Sequence, residues 1–407
     1  MIRKVIRTSI RGRRISGDGL CGGGKATAVG GRPWWPHNGS RHLQNLFAAV
    51  ALAGVFAGCP IAAQAPKRLV AYYLFSDQTK TPSYTAKNIP FKKLTHLIHV
   101  ALVVGPEGDG QIEISKDAIE RTLIPRAHRA KVRVLVCVQG AASSFRSVAA
   151  DPAARLHFAA AVKKFIEQYD YDGVDIDWEV PQGASDVAND VALMQALRAA
   201  LPRPRYLISM ATPSEPGHWG DYDFRELTPI VDFYNVMTYD FHGPWVNHAG
   251  HNSPLFLNVN DPGHDGSIDD SMNLYLNQLG VPAEKINLGT AFYGYESPAS
   301  ELYAACACEK STHAREYGSY IEPRVEGDGW KAHVDALAMA PYLTHEGSTP
   351  GFITYDDAAS TARKVVYALQ VRNLGGVFMW ELSGDFDGKK QKLLDSMFTA
   401  FKQSRKR

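Results

Sequence analysis

The sequence predicts an α/β fold, a (β/α)8 TIM barrel with a small α+β insertion before its last strand, and three observations point to it. From Arg68 onward, eight short β-rich runs follow one another along the chain. Between most of them lie amphipathic stretches with apolar residues at helical spacing. The connection from Tyr295 to Gly351 is too long for a simple loop and contains "DGWKAHVDALAMAPYL" (Asp328 to Leu343), so it reads as an inserted subdomain forming one wall of a groove.

The eight runs are 68–75, 94–104, 131–139, 171–179, 205–212, 231–239, 286–294 and 375–382. Each is rich in Val, Ile, Leu and aromatic residues and short enough for a strand. The helical stretches include 153–169, 190–201 and 357–371. A doubly wound open sheet is the alternative, but the first strand-to-helix turn lacks the glycine-rich phosphate fingerprint of that fold. The barrel is therefore assigned to residues 66–407, with the insertion at about 295–351.

Residues 1–65 differ in composition. They hold nine Lys/Arg against the single acid Asp18, which leaves 35 basic and 41 acidic residues, net −6, in the remainder. A chain of that balance has no basic stripe for phosphates, so no nucleic-acid partner is expected. Leu46 to Gly58 is a 13-residue apolar run after Arg41, too short to span a bilayer and of the length of a signal-peptide core. We read residues 1–65 as a leader with an export signal, ending either in lipid attachment at Cys59 or in cleavage among Ile61 to Ala65. Apart from a lipid at Cys59, no membrane contact is expected, and the chain is expected to be a monomer.

Two further motifs carry little. "GLCGGGKA" (Gly19 to Ala26) nearly satisfies the phosphate-loop pattern, but Ala26 stands where Ser or Thr would bind magnesium, and no strand precedes it. The cysteines (Cys21, Cys59, Cys137, Cys306, Cys308) form no disulfide framework, although Cys306 and Cys308 could pair or stay free. No second pair of ligands has metal-site spacing, so neither metal nor cofactor is expected.

The chemistry points to "YDGVDIDWEVP" (Tyr171 to Pro181). Alternation in a strand puts Asp175, Asp177 and Glu179 on one face and leaves Asp172 on the other, where a structural role is expected. Neighbours on that face are roughly 6.6 Å apart along the strand, close enough to interact in low dielectric. No Lys or Arg lies between Phe165 and Arg198 to neutralise them. A proton shared within the row should raise the pKa of Glu179, which sits at the strand's C-terminal end, where barrel enzymes place a general acid.

"DGVDIDWE" (Asp172 to Glu179) resembles the DGxDxDxE signature of glycoside hydrolase family 18, the chitinases. "MTYDFHGPW" (237–245), "GVPAEKINLGTAFYG" (280–294), "FITYDDAAS" (352–360) and "GGVFMWELSGD" (375–385) resemble further segments of that family in its order. The resemblance implies a hydrolase that cleaves β-1,4 linkages in polysaccharides or oligosaccharides containing N-acetylglucosamine. It implies Glu179 as acid, Asp177 as the group orienting the substrate acetamide, Asp175 as holder of the proton that lets Asp177 rotate, and Tyr239 as donor to the acetamido carbonyl. The substrate's own acetamide then replaces a carboxylate nucleophile.

By the same resemblance Asp240 contacts the sugar and Trp380 forms the floor beneath it. Met237 and Met210 are expected to line the pocket, and Tyr73, Trp219 and Trp245 to serve as sugar platforms. His242, His248 and His251 are read as loop scaffolding. Gln139, Ala141, Ala101 and Val180 depart from the family pattern and bear on subsite shape. Two alternatives stay open: the same chemistry on N-glycan cores or peptidoglycan, and a non-catalytic chitin-binding barrel.

Overall fold

The computed structural model describes residues 66–405, except 75–79, 81, 116–117, 326, 328 and 347–349. The export signal, Cys59 and the Gly19 to Ala26 motif lie outside the described residues.

Eight parallel strands close into a barrel: β1 (Arg68–Leu74), β2 (His96–Val104), β4 (Arg133–Gln139), β5 (Gly173–Asp177), β6 (Leu207–Pro213), β7 (Phe233–Met237), β8 (Ile286–Ala291) and β14 (Gly376–Trp380). Closure comes from β1, which pairs in parallel with both β14 and β2. A short β3 (Ile112–Ile114) adds antiparallel to the far part of β2. Each predicted run thus holds one barrel strand. The runs are largely apolar because both strand faces are buried, with a few polar residues such as Asp175, Ser209 and Asn235 turned into the interior. Outward residues such as Leu69, Val134, Ile176 and Val377 meet the helices, while Val70, Ile98, Leu135 and Phe378 fill the interior.

Around the barrel, in chain order, lie α1 (Leu123–Arg129), α2 (Ala142–Ala150), α3 (Pro152–Tyr169), α4 (Gly183–Ala200), α5 (Phe224–Leu227), α6 (Ile268–Asn273), α8 (Ala358–Val366) and α9 (Lys392–Ser404), while the short α7 (Cys308–Ser311) belongs to the insertion. Several of them start on a side-chain cap. Asp151 accepts from the N–H groups of Ala153 and Ala154 at 2.7 and 2.9 Å ahead of Pro152, and Asp170 ends α3 with a left-handed φ of 63°. Asp357 and Ser360 form a reciprocal capping box on α8. Among the described residues, no helix is long and apolar enough to cross a membrane.

The insertion is a five-stranded antiparallel sheet in the order β10-β9-β13-β12-β11. Its strands are β9 (Tyr293–Ser297), β10 (His313–Glu316), β11 (Trp330–Asp335), β12 (Ala340–His345) and β13 (Gly351–Thr354). It begins almost directly after β8, so the end of the run 286–294 already belongs to it. Cys306 and Cys308, left open by the sequence, are disulfide-bonded just before β10, and Cys137 is free and buried.

Candidate active site

Asp175 is fully buried in the barrel interior and is surrounded by donors from four other strands. Ser209 Oγ on β6 donates to it at 2.5 Å, the Tyr72 hydroxyl on β1 at 3.0 Å and Asn235 Nδ2 on β7 at 3.3 Å, with the Cys137 thiol on β4 as a fourth donor. The network continues away from the acid. Asn235 Nδ2 also donates to the Tyr72 hydroxyl, Asn287 donates to Asn235, and Arg68 Nε donates to Asn287 at 2.9 Å. A hydrogen-bonded path thus crosses the barrel interior and fixes Asp175 in one orientation.

Asp177, two residues on, is buried but supported differently: among the described residues its Oδ1 has no hydrogen-bond partner. Burial pushes its pKa well above the usual carboxylate range, and the charges of Glu179 and Asp175 push it further. Burial also raises Asp175, but its donors work against this by favouring the ionised form. Of the two buried acids, Asp177 is thus the one its surroundings drive toward the protonated form, while donors hold Asp175 toward the ionised one. Glu179 lies two residues past the end of β5 and is exposed there. The row thus presents a carboxylate fixed by donors, a buried partner whose pKa is raised, and an exposed acid at the barrel mouth.

Tyr239 and Asp240 lie just past β7. Tyr239 is buried with the interior cluster, its ring edge-on to Phe378 and Tyr293. Asp240 has a left-handed φ of 67°, uncommon for a residue with a Cβ, and its surroundings hold it there. Its N–H donates to Asn252 Oδ1 at 2.9 Å, and its Oδ1 accepts from the hydroxyls of Tyr293 at 2.5 Å and Tyr295 at 2.7 Å. Trp380 ends β14 with its ring centroid 5.3 Å from that of Tyr72, and Met237 packs against the same interior cluster. Tyr72, Asp175, Asp177, Met237, Tyr239 and Trp380 are thus brought together.

Two expected pocket residues are not. Tyr73 faces the helical layer, where its hydroxyl donates to Glu120 at 2.9 Å and its ring stacks on His99, so it is no sugar platform. Met210 also packs in the outer layer, and its neighbour Ser209 faces inward. Both errors are a single step of strand parity, which a run apolar on both faces does not reveal. Parity anchored on Asp175 through the β4–β5–β6 register would have found Cys137 and Ser209. Tyr293 and Tyr295 were missed because they belong to the insertion.

Trp219 and Trp245 are exposed, at 46% and 39%. Trp245 meets Tyr295 edge-on, and Trp219 precedes Gly220, which packs on Val180 next to Glu179. Asp172 is structural, as its parity suggested: it accepts from Arg133 Nη1 at 2.7 Å and the Val134 N–H at 2.8 Å, and faces His128 Nε2 at 3.0 Å. Among the three loop histidines, His251 faces Asp335, consistent with scaffolding. His242 and His248 pack elsewhere in the loop. They converge with Asp261 and Asp265, acids that no spacing rule linked to them.

Comparison with known proteins agrees with the barrel fold. Chitinase 1 of Aphanocladium album is 26% identical over 337 residues, covering 75% of this chain and 79% of its own length. A probable endochitinase of Caenorhabditis elegans is 34% identical over 261 residues, and there the match spans 60% of this chain but only 41% of the relative. Catalytic domain 2 of the Ostrinia furnacalis Group II chitinase, solved as a mutant in complex with penta-N-acetylchitooctaose, superposes with a TM-score of 0.75 at 25% identity, covering 83% of this chain and 97% of that one. The family model for glycosyl hydrolases family 18 matches residues 68–385, from the first barrel strand through the turn after Trp380, and the chain belongs to that family.

Proposed function

We propose that this glycoside hydrolase cleaves β-1,4 linkages next to N-acetylglucosamine in chitin or chitooligosaccharides, by substrate-assisted catalysis with retention of configuration. The observation that carries the proposal is the graded row: Asp175 locked by four donors, Asp177 buried with its pKa raised by burial and by the neighbouring acids, and Glu179 exposed beside them. Chitinase names among the relatives, and the oligosaccharide complex of the Ostrinia domain, support this substrate class.

In the proposed sequence, Glu179 gives its proton to the glycosidic oxygen as the acetamide oxygen attacks the anomeric carbon, the bond to the leaving sugar breaks, and an oxazolinium forms. Asp177, sharing its proton with Asp175, turns to accept the acetamide N–H and balance the positive charge. Tyr239 donates to the acetamido oxygen, and Trp380 packs beneath the sugar face. Water then attacks the anomeric carbon and returns a proton to Glu179. The second inversion restores the original configuration.

Purified wild type and Glu179→Gln are to be compared on chitooligosaccharides, glycoprotein and peptidoglycan. Loss of the acid is expected to lower the rate by about 10²- to 10⁴-fold, with chitooligosaccharides the fastest substrate. Equal product from both proteins overturns the mechanism, and faster release from glycoprotein or peptidoglycan overturns the substrate. Binding without turnover by the wild type leaves a chitin-binding barrel instead. The apolar run 46–58 supports export of the protein, with lipid attachment at Cys59 or cleavage among Ile61 to Ala65, to be read from the mature N-terminus by mass spectrometry.

A further inference from the structure

The long loop between β7 and α6 folds back on itself so that four side chains meet at one point. His242 Nε2 and His248 Nε2 are 3.2 Å apart. His242 Nε2 is 3.3 Å from Asp261 Oδ2 and 3.3 Å from Asp265 Oδ2. His248 Nε2 is 3.0 Å from Asp261 Oδ1 and 3.1 Å from Asp265 Oδ2. His242, His248 and Asp261 are each more than nine-tenths buried.

The hydrogen bonds around the cluster fix what it presents. His242 Nδ1 lies 3.0 Å from the His251 carbonyl oxygen, an acceptor only, so Nδ1 carries the proton and Nε2 turns its lone pair inward. His248 Nδ1 faces Asn247 Oδ1 at 3.2 Å, which gives the same tautomer. Asp261 is held from behind by the N–H groups of Gly263 at 3.1 Å and Asp265 at 3.2 Å. The Asp265 Oδ2 atom is buried and makes no hydrogen bond among the described residues. Two imidazole lone pairs and two carboxylates therefore face one another. Protonating both imidazoles instead would set two N–H groups against each other across 3.2 Å.

We propose that His242, His248, Asp261 and Asp265 bind one divalent transition-metal cation, with Zn²⁺ the best fit. Ligands at the roughly 2.0–2.2 Å typical of Zn–N and Zn–O bonds lie about 3.3–3.6 Å apart at the corners of a tetrahedron, and the separations of 3.0–3.3 Å here need only a small outward shift to reach that geometry. Two nitrogen donors argue against Ca²⁺ and Mg²⁺, which take oxygen shells of higher coordination number. Four protein donors close the shell, so the site is structural and not catalytic. The carbonyl and amide partners of the imidazoles supply the outer support that metal-binding histidines use. Two glycines leave the necessary room: a Cβ on Gly250 would lie 2.2 Å from His242 Nε2, and one on Gly263 would lie 2.2 Å from Asp265 Oδ2. The cation ties the start of the loop, two residues beyond Asp240, to its end just before Ser267 caps α6.

The test is metal uptake by the intact protein, free of any histidine tag. Elemental analysis after gel filtration is expected to find about one zinc per chain. Protein stripped with a chelator is expected to take up one Co²⁺ with the visible absorption of a tetrahedral centre, and stripping should lower the melting temperature by several degrees, reversed by Zn²⁺. Asp265→Asn, at the most exposed ligand, should weaken Zn²⁺ binding by at least tenfold, and His248→Gln with Asp261→Asn should abolish it. Wild type that binds neither Zn²⁺ nor Co²⁺ at micromolar concentration overturns the proposal, as does an unchanged stoichiometry in the double variant. If the double variant does not fold, uptake and melting of the wild type and of Asp265→Asn decide the matter.

Discussion

The Tyr72 hydroxyl lies 3.0 Å from Asp175 Oδ2, and Asn235 Nδ2 lies 3.0 Å from the same hydroxyl, so Tyr72 links the buried acid to the polar path across the barrel. Its neighbour Tyr73 points the other way, to Glu120. Removing the Tyr72 hydroxyl leaves Asp175 one donor short. Tyr72→Phe should lower kcat by roughly ten- to a hundredfold, the worth of a hydrogen bond to a charged group at about 1.5–3 kcal/mol. Tyr73→Phe should leave kcat within about twofold and lower stability by about 1 kcal/mol. An unchanged kcat for Tyr72→Phe would show that Asp175 needs no such support.

Tyr239→Phe tests the reacting acetamide. Loss of one donor to a developing charge should raise the barrier by about 2–4 kcal/mol, with a smaller effect on KM than on kcat. A rise in KM alone would mean that Tyr239 only binds the sugar.

Asp172 gives the complementary control. It shares a motif with Asp175 and Asp177, yet it ties β5 to β4 through Arg133 and the Val134 N–H. Asp172→Asn should reduce unfolding free energy by about 1–3 kcal/mol while leaving kcat nearly unchanged. A large loss of kcat in protein of normal stability would contradict this structural role.

Asp190 on α4 sets a pH dependence of stability. It is 1% exposed, neither carboxylate oxygen has a partner among the described residues, and burial raises its pKa from 3.8 to about 7. The native chain therefore holds this proton where the unfolded chain has lost it. The stability it contributes is full below pH 3.8 and is lost as pH rises to about 7. Asp190→Asn should melt like the wild type near pH 4 and progressively higher up to pH 7, with a plateau beyond. At 1.36 kcal/mol per unit the plateau is worth at most about 4 kcal/mol. A constant difference across this range would show that Asp190 does not titrate within it.

The strands were legible because barrel strands are buried on both faces and so stand out as apolar runs bounded by polar turns. The same property concealed which face each residue takes. Tyr72 and Tyr73 are alike in one dimension, as are Ser209 and Met210 within their run, and only pairing with β2, β5 and β14 separates inside from outside. In β5 the parity was readable because the acids themselves marked it.

The sequence by itself determined the eight-stranded alternation, the acid row ending in Glu179 and the structural standing of Asp172, since all three rest on spacing within a single element. Tertiary structure decided what depends on convergence between elements. Donors from β1, β4, β6 and β7 reach Asp175 and favour its ionised form, while burial and the neighbouring acids push Asp177 the other way. Tyr293 and Tyr295 hold Asp240 because the inserted sheet starts at the end of β8. His242 and His248 meet Asp261 and Asp265 through the closure of a loop that carries no periodic signal. Burial and distance between separate segments set each of these outcomes, and neither quantity is written in the order of residues.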